Sequence, residues 1–423
     1  MGRFEFTTYR VVSEPGNMEQ SFTPKLFPSQ RGKEWYRTEG FKEIAFIHGT
    51  TEKSYRKTSE LINRIRHQSE GTSARTLQDN SEREGERILE QLNTQSQQIL
   101  SEHLFSAQGF PQEPSLYQNQ LPQQLAEEVV CPALELCYQD LLKQELKVVI
   151  APETLLMQIK SNPVGYENPT QTVNLSVDDV GVKQQKEQRL SEKIAQAPPP
   201  ESQAKYAHQT VIHIQQQQSC YVLNGVGWAK LFSILIAFLL HNDLLKYNLM
   251  FFVDGQKTLH AFIQKTLAWF LPSQILLDWY HLEEKCKQQL SMALNGRQIR
   301  NDVLEGLIPL LWYGLLDAAI EYLSKLEPEM IKDREKLQQL LAYFQRNRSF
   351  IPCYAVRKRL GLRNSCNIGE KYNDLLVSQR QKNNGMSWSK PGSVALAAIE
   401  ALCRNKECQN WFGTGKLDFK FAI

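Results

Sequence analysis

Hydrophobic positions change period along the second half of the chain, and the changes mark out strands and helices. Val173, Leu175 and Val177 alternate with Thr172, Asn174 and Ser176, which predicts a half-buried strand running into Asp178-Asp179. QTVIHIQ (209–215) and SCYVLNG (219–225) read as two further strands, and the apolar stretch from Trp228 predicts a buried helix. LMFFV (249–253) is a fourth strand that stops at Asp254-Gly255. A helical period through Leu259, Phe262, Ile263, Leu267 and Phe270 follows and closes at Pro272. A fifth strand, 275–277, ends on Asp278, with His281 three residues on. Beyond it the pattern is wholly helical over 282–294, 303–312, 315–323 and 331–344, and a last helix is predicted around 370–380.

The first half of the chain is less regular. Residues 1–50 hold no sustained period and are expected to be irregular. Residues 51–101 predict two helices, the first with Leu61, Ile62 and Ile65 on one face among Arg56, Lys57, Arg64 and Arg66. The break at Glu70-Gly71-Thr72-Ser73 suits a helix-turn-helix DNA reader or an ordinary helical hairpin. Glu82, Glu84, Glu86 and Glu90 on the second helix favour the hairpin, because they repel phosphate. Residues 102–125, rich in Pro, Gln and Ser, read as a linker, and 126–165 as a helical connector. The polar stretch 183–204, with three successive prolines at 198–200, is expected to be an exposed loop.

Three strands, a helix, a strand, a helix and a strand is the order of a ribonuclease-H-like α/β domain. The expected architecture is therefore a mixed sheet over 172–281, an all-helical insertion over 282–350, and the end of the core over 351–412, followed by a tail at 413–423. In that topology the first and fourth strands are neighbours and the last helix crosses them. Asp178, Asp254 and Glu370 would then converge, and three carboxylates on separate elements are what two divalent cations about 3.5–4 Å apart require for phosphoryl transfer. Asp179 competes with Asp178 for the first place, because one residue of strand register exchanges them.

Composition narrows the class. A 41% hydrophobic and 10% aromatic content suits a folded chain, and the net charge of +3 says little until its clusters are located. Eight cysteines without a CxxC pair, and the lack of a recognisable leader, point to a reduced cytoplasmic protein. Cys131 with Cys137, and Cys403 with Cys408, lack zinc partners at familiar spacing and read as free thiols. The longest nearly apolar run, 231–240, is far short of the roughly 20 residues of a membrane span, so no membrane association is expected.

Particular motifs go further than topology. ILLDWYHLEEKC has the D-x-x-H form that resembles the [C/D]-x-x-H motif of Mutator-like and related bacterial insertion-sequence transposases. NIGEKYNDLLVSQRQKNNGMSWSKPGSVALAAIEAL resembles the ISKra group of these enzymes, with the glutamate at Glu370 and an R-x-K-x-x-G-M-x-W-S segment at 380–389. VNLSVDDVGV and FFVDGQKTL are similar to the strands bearing their first and second aspartates, so the likeness spans roughly residues 172–412. One departure is the Ile-Gly pair before Glu370, where an apolar residue usually adjoins the glutamate.

The resemblance implies a DDE transposase that uses two Mg²⁺ or Mn²⁺ ions held by Asp178, Asp254 and Glu370, with Asp278 and His281 supporting the site or touching DNA. It implies cleavage at the terminal inverted repeats, strand transfer into target DNA, a homo-oligomer assembled on double-stranded DNA, and a bacterial, nucleoid-associated location. It also shifts the reading of the N-terminal helices towards recognition of the terminal repeats. Lys183, Lys186, Arg189, Arg357, Lys358, Arg359, Arg363, Arg380 and Lys382 are the expected phosphate contacts. The rival expectation is an inactive or repurposed transposase-derived DNA-binding protein.

Overall fold

The structure, a computed structural model, describes residues 10–11, 20–21, 39–67, 71–144, 146–185, 206–365 and 367–421. Its centre is a five-stranded mixed sheet made of β1 (Thr172–Lys183), β2 (Tyr206–Gln216), β3 (Ser219–Gly225), β4 (Asn248–Val253) and β5 (Ser273–Leu277). The order across the sheet is β3-β2-β1-β4-β5. The first three strands run antiparallel, whereas β4 and β5 run parallel to β1.

Connection lengths explain the change of direction. β2 and β3 are joined by the two residues Gln217-Gln218, and Gln217 takes the φ of +51° that a tight hairpin demands. Parallel neighbours need a crossover, and helices supply both of them within the sheet. Every residue of β4 is buried, as befits a central strand covered on two faces.

Among the described residues, six helices precede the sheet: α1 (Glu39–Thr51), α2 (Tyr55–Ile65), α3 (Ala74–Glu102), the single turn α4 (Ser115–Gln118), α5 (Glu127–Leu142) and α6 (Pro152–Lys160). The crossovers are α7 (Trp228–His241) and α8 (Lys257–Thr266). The expected helical insertion comprises α9 (Trp279–Ala293), α10 (Arg297–Trp312), α11 (Leu316–Ser324) and α12 (Arg334–Asn347). After the short α13 (Tyr354–Arg359), α14 (Asn367–Asn373) continues as π-helical turns over Asp374–Lys382, and α15 (Lys390–Arg404) and α16 (Cys408–Thr414) close the chain.

Two apolar cores flank the sheet. One joins Val173, Leu175, Val177, Phe251 and Val253 to α7, α8, α15 and the N-terminal helices. The other joins Met250, Phe252, Leu276 and Leu277 to α5, α6 and the insertion.

Three expectations for the first half change. Residues 39–51 are helical, with Ala45 and Phe46 buried, where the sequence showed no sustained period; the short apolar cluster there lacked enough turns to show one. The stretch 102–125 is a docked strap: Phe105 is buried and its ring lies 5.4 Å from Trp269 and 5.5 Å from Tyr117. Asn248 clamps the strap's end by accepting from Gln123 N at 2.8 Å and donating to Gln123 O at 2.7 Å.

The third concerns α3, a single 29-residue helix packed against the first core where the sequence showed the second arm of a helical pair. Leu77, Ile88, Leu92, Ile99 and Leu100 are buried in the first core, and Glu84 accepts from Trp411 Nε1 at 2.7 Å. Gly85 makes the crossing with α15 possible, because a Cβ there would stand 2.2 Å from the carbonyl oxygen of Ala395. Gly85→Ala therefore trades its better helix propensity for overpacking against backbone, and a loss of about 1–3 kcal/mol is expected. Urea unfolding checks this, and an unchanged or raised midpoint would contradict the tight crossing.

Candidate active site

The parallel ladder between β1 and β4 brings two acids side by side. It ends on the pair Ser176 and Phe252, and two residues further along the chain from each stand Asp178, still in β1, and Asp254, just past β4. The alternation of a strand sends Asp178 and Asp179 to opposite faces. Asp179 faces α7, where it accepts from Thr210 Oγ1 at 2.5 Å and from Trp228 Nε1 at 3.2 Å. Asp178 faces α14, accepting from Asn373 Nδ2 at 2.5 Å. The side chain grouped with Asp254 and Glu370 is thus Asp178, while Asp179 is held on the other face.

Asp254 lies in the turn that leaves β4, where its carboxylate is exposed and accepts from Gln256 N at 2.9 Å. Gly255 takes φ +84°, and a Cβ there would meet Tyr343 Oη at 2.4 Å. That hydroxyl, on α12 of the insertion, donates to the Asp254 carbonyl at 3.2 Å. The insertion thereby fixes the backbone of this acid.

Asp278 and His281 form the start of α9. Asp278 is 1% exposed; its carboxylate caps the helix by accepting from His281 N at 3.1 Å, and its own N–H donates to Val253 O at 3.0 Å. His281 Nδ1 lies 3.4 Å from the same carboxylate oxygen, an ion-pair distance without hydrogen-bond geometry, and Nε2 lies 3.5 Å from Glu370 Oε1. The imidazole thus joins the D-x-x-H motif to the glutamate on α14. Asn373, unforeseen in the sequence, follows Glu370 by three residues and so shares its helix face.

Electrostatics follow from this crowding. Burial raises the Asp178 carboxyl above its ordinary value, opposed by His281 and reinforced by the charge of Asp254. Burial likewise raises Glu370, opposed by His281 and reinforced by Asp278 and Asp178. For His281 burial acts downward, but contact with Asp278 and the charges of Asp278, Asp178 and Glu370 prevail and lift it to about 9.

A raised histidine gives stability that is complete below the unfolded value of about 6.5 and is lost as pH climbs through 9. NMR titration of the His281 ring is expected to show its midpoint near 9, shifted down by Asp278→Asn. A midpoint at or below 6.5 would disprove the ion-pair chain.

Among the described residues, no group of three or more His, Cys, Asp or Glu is placed to hold a metal ion as the side chains stand. Glu370 is turned to His281 instead. Even so, the donor chemistry suits a hard divalent cation: carboxylate oxygens from three elements, two of them reluctant to ionise together without added positive charge.

No protein-family model, curated protein or solved structure matches the chain.

The basic residues divide by burial. Arg357 is 0% exposed, its guanidinium gripping Glu167 at 2.6 and 2.7 Å and also donating to Gly165 O and Arg363 O. Arg380 is 4% exposed, donating to Gly49 O and Lys53 O between the rings of Tyr55 and Trp388. Both hold the fold together rather than offering the phosphate contact expected of them. Lys183, Lys358, Arg359 and Lys382 are exposed, with Arg359 paired to Asp140 and Lys358 over the Trp312 ring. Lys186, Arg189 and nearly all of the expected 183–204 loop lie outside the described residues.

Arg363 differs from all of these. Its side chain is half-buried with no ion pair or hydrogen bond among the described residues, and burial lowers its guanidinium from the ordinary value. Its loop is pinned by Arg357 on one side and by the Trp279 N–H, which donates to Asn364 O at 2.9 Å, on the other.

Proposed function

We propose that the chain is a DDE-type DNA transposase, built on a ribonuclease-H-like sheet, that cuts DNA at the ends of a mobile element and joins them to target DNA. The single observation that carries this reading is the placement of Asp178 and Asp254 just past the end of the parallel ladder between β1 and β4, with Glu370 brought to the same side by α14. The strand order β3-β2-β1-β4-β5, the helical block after the D-x-x-H motif and the glutamate on the later helix α14 all accord with it. No α/β fold by itself dictates such chemistry, so the site bears the argument.

Asp178 and Asp254 would hold divalent cations between them, and Glu370 would be the third ligand. Bound there, two such ions supply an activated water or 3′-OH nucleophile and stabilise the departing oxygen in an in-line displacement. The chain's own residues do the rest. Asn373 fixes the Asp178 carboxylate, Tyr343 fixes the turn of Asp254, and Asp278 orients His281 beside Glu370. Arg363, a half-buried guanidinium in want of an anion, suits a phosphate oxygen.

The test is direct. The full chain, incubated with Mg²⁺ or Mn²⁺ and duplex DNA carrying the inverted repeats that flank its coding region, is expected to nick at the repeat end. Binding without cleavage across graded salt would instead favour the DNA-binding reading, which the absence of a ready ligand group among the described residues keeps in play.

A further inference from the structure

The turn between α15 and α16 carries two cysteines that the proposed chemistry does not use. Helix α15 stops at Arg404, and Lys406, with φ +60°, reverses the chain before α16 begins at Cys408. This reversal folds Cys408 back on Cys403 until their sulfurs stand 2.9 Å apart. Bond formation needs an approach to about 2.05 Å, a small further step for two side chains with free rotation about χ1. Both residues are half-buried, so a small solute can reach them.

The other described thiols are placed differently. Cys137, Cys286 and Cys353 are buried, Cys131 is exposed, and Cys220 meets Tyr372 Oη at 3.2 Å.

The turn also holds neighbouring parts together. Asn405 clamps the outer edge of β3, accepting from Val222 N and donating to Val222 O, both at 2.9 Å. Glu407 accepts from Tyr221 Oη at 2.5 Å, Asp418 N at 2.8 Å and Phe419 N at 3.1 Å, so it docks the C-terminal segment. With its ends anchored in this way, the turn keeps the two sulfurs facing each other.

We propose that Cys403 and Cys408 are a redox-active dithiol, a modification site that hydroperoxides close to an intramolecular disulfide. Contact with Cys408 and then burial raise the Cys403 thiol, which makes Cys403 the resolving partner rather than the first nucleophile. The Cys408 sulfur attacks one peroxide oxygen; the S–O bond forms, the O–O bond breaks, and the leaving hydroxide takes a proton to become water. Cys403 then attacks the Cys408 sulfur, its own proton leaving with the displaced hydroxyl as a second water. Two thiols lose two electrons and one hydroperoxide gains them.

The experiment uses the full chain treated with a few equivalents of hydrogen peroxide, then alkylated and mapped by mass spectrometry. The expected result is the loss of two alkylatable thiols and of two hydrogens in mass, reversed by dithiothreitol. Because Arg404 and Lys406 lie between the cysteines, trypsin cuts the turn, and the pieces containing Cys403 and Cys408 are expected to stay joined until reduced. In Cys403→Ser the reaction is expected to halt at a sulfenic acid on Cys408, trapped by dimedone. Persistence of both thiols while others oxidise, or a disulfide from either one to a different cysteine, would overturn the proposal. The wild-type mapping decides it even if the variant folds poorly.

Discussion

Asp254→Asn is expected to lower the proposed metal-dependent cleavage of repeat-bearing DNA on the order of 10³-fold, because it removes a charge proposed to hold metal and stabilise the transition state. The amide oxygen can still accept from Gln256 N, and the Tyr343 bond goes to the backbone, so the fold should persist. Circular dichroism with a thermal melt would verify that it does. Asp178→Asn should match this loss, whereas Asp179→Asn should cost far less, since Asp179 faces Thr210 and Trp228 across the sheet. Unimpaired cleavage by the Asp254 variant would remove the basis of the proposed activity.

The second large effect is on stability. Arg357→Ala is expected to cost about 3–5 kcal/mol, because it strands the Glu167 carboxylate, itself 3% exposed, without its partner. Replacing both residues together by methionine should recover most of the loss, since the stranded charge leaves with its partner. Chemical denaturation measures both. An Arg357→Ala protein with wild-type stability but weakened DNA binding would restore the phosphate role and refute the structural one.

Much of the architecture was legible because local pattern and tertiary role agree. The alternation of Val173, Leu175 and Val177 in β1, the all-buried run of β4, and the helices of the insertion each reflect one continuous buried surface, so their periods survive in the sequence. The acids that follow β4 and β5, Asp254 and Asp278, were legible for the same reason, whereas β1 runs past Asp178 to Lys183 instead of ending there. The choice between Asp178 and Asp179 was not legible, because adjacent identical acids differ only in the side of the sheet they take, which the partner strands set.

Arginines were hardest to read. Arg357 lies in a run with Lys358 and Arg359 that looks uniformly solvated, yet its partner Glu167 is 190 residues away. Arg380 likewise finds its acceptors at Gly49 and Lys53, in a region with no period to suggest a helix packed there. Charge in a sequence shows where a cation is; whether it meets water or a carbonyl depends on contacts made far along the chain.

The dividing line between the two cores also bears on how such a chain can be taken apart. Met250, Phe252, Leu276 and Leu277 belong to the sheet, yet their apolar neighbours come from the insertion together with α5 and α6. Residues 282–350 are consequently no removable cassette. A version trimmed to the strands would present one greasy, unroofed side to water and would lose the tyrosine that steadies the turn after β4. Shortening this protein by excision would therefore yield an aggregating fragment, and a smaller folded version would have to be sought by re-surfacing those four positions instead.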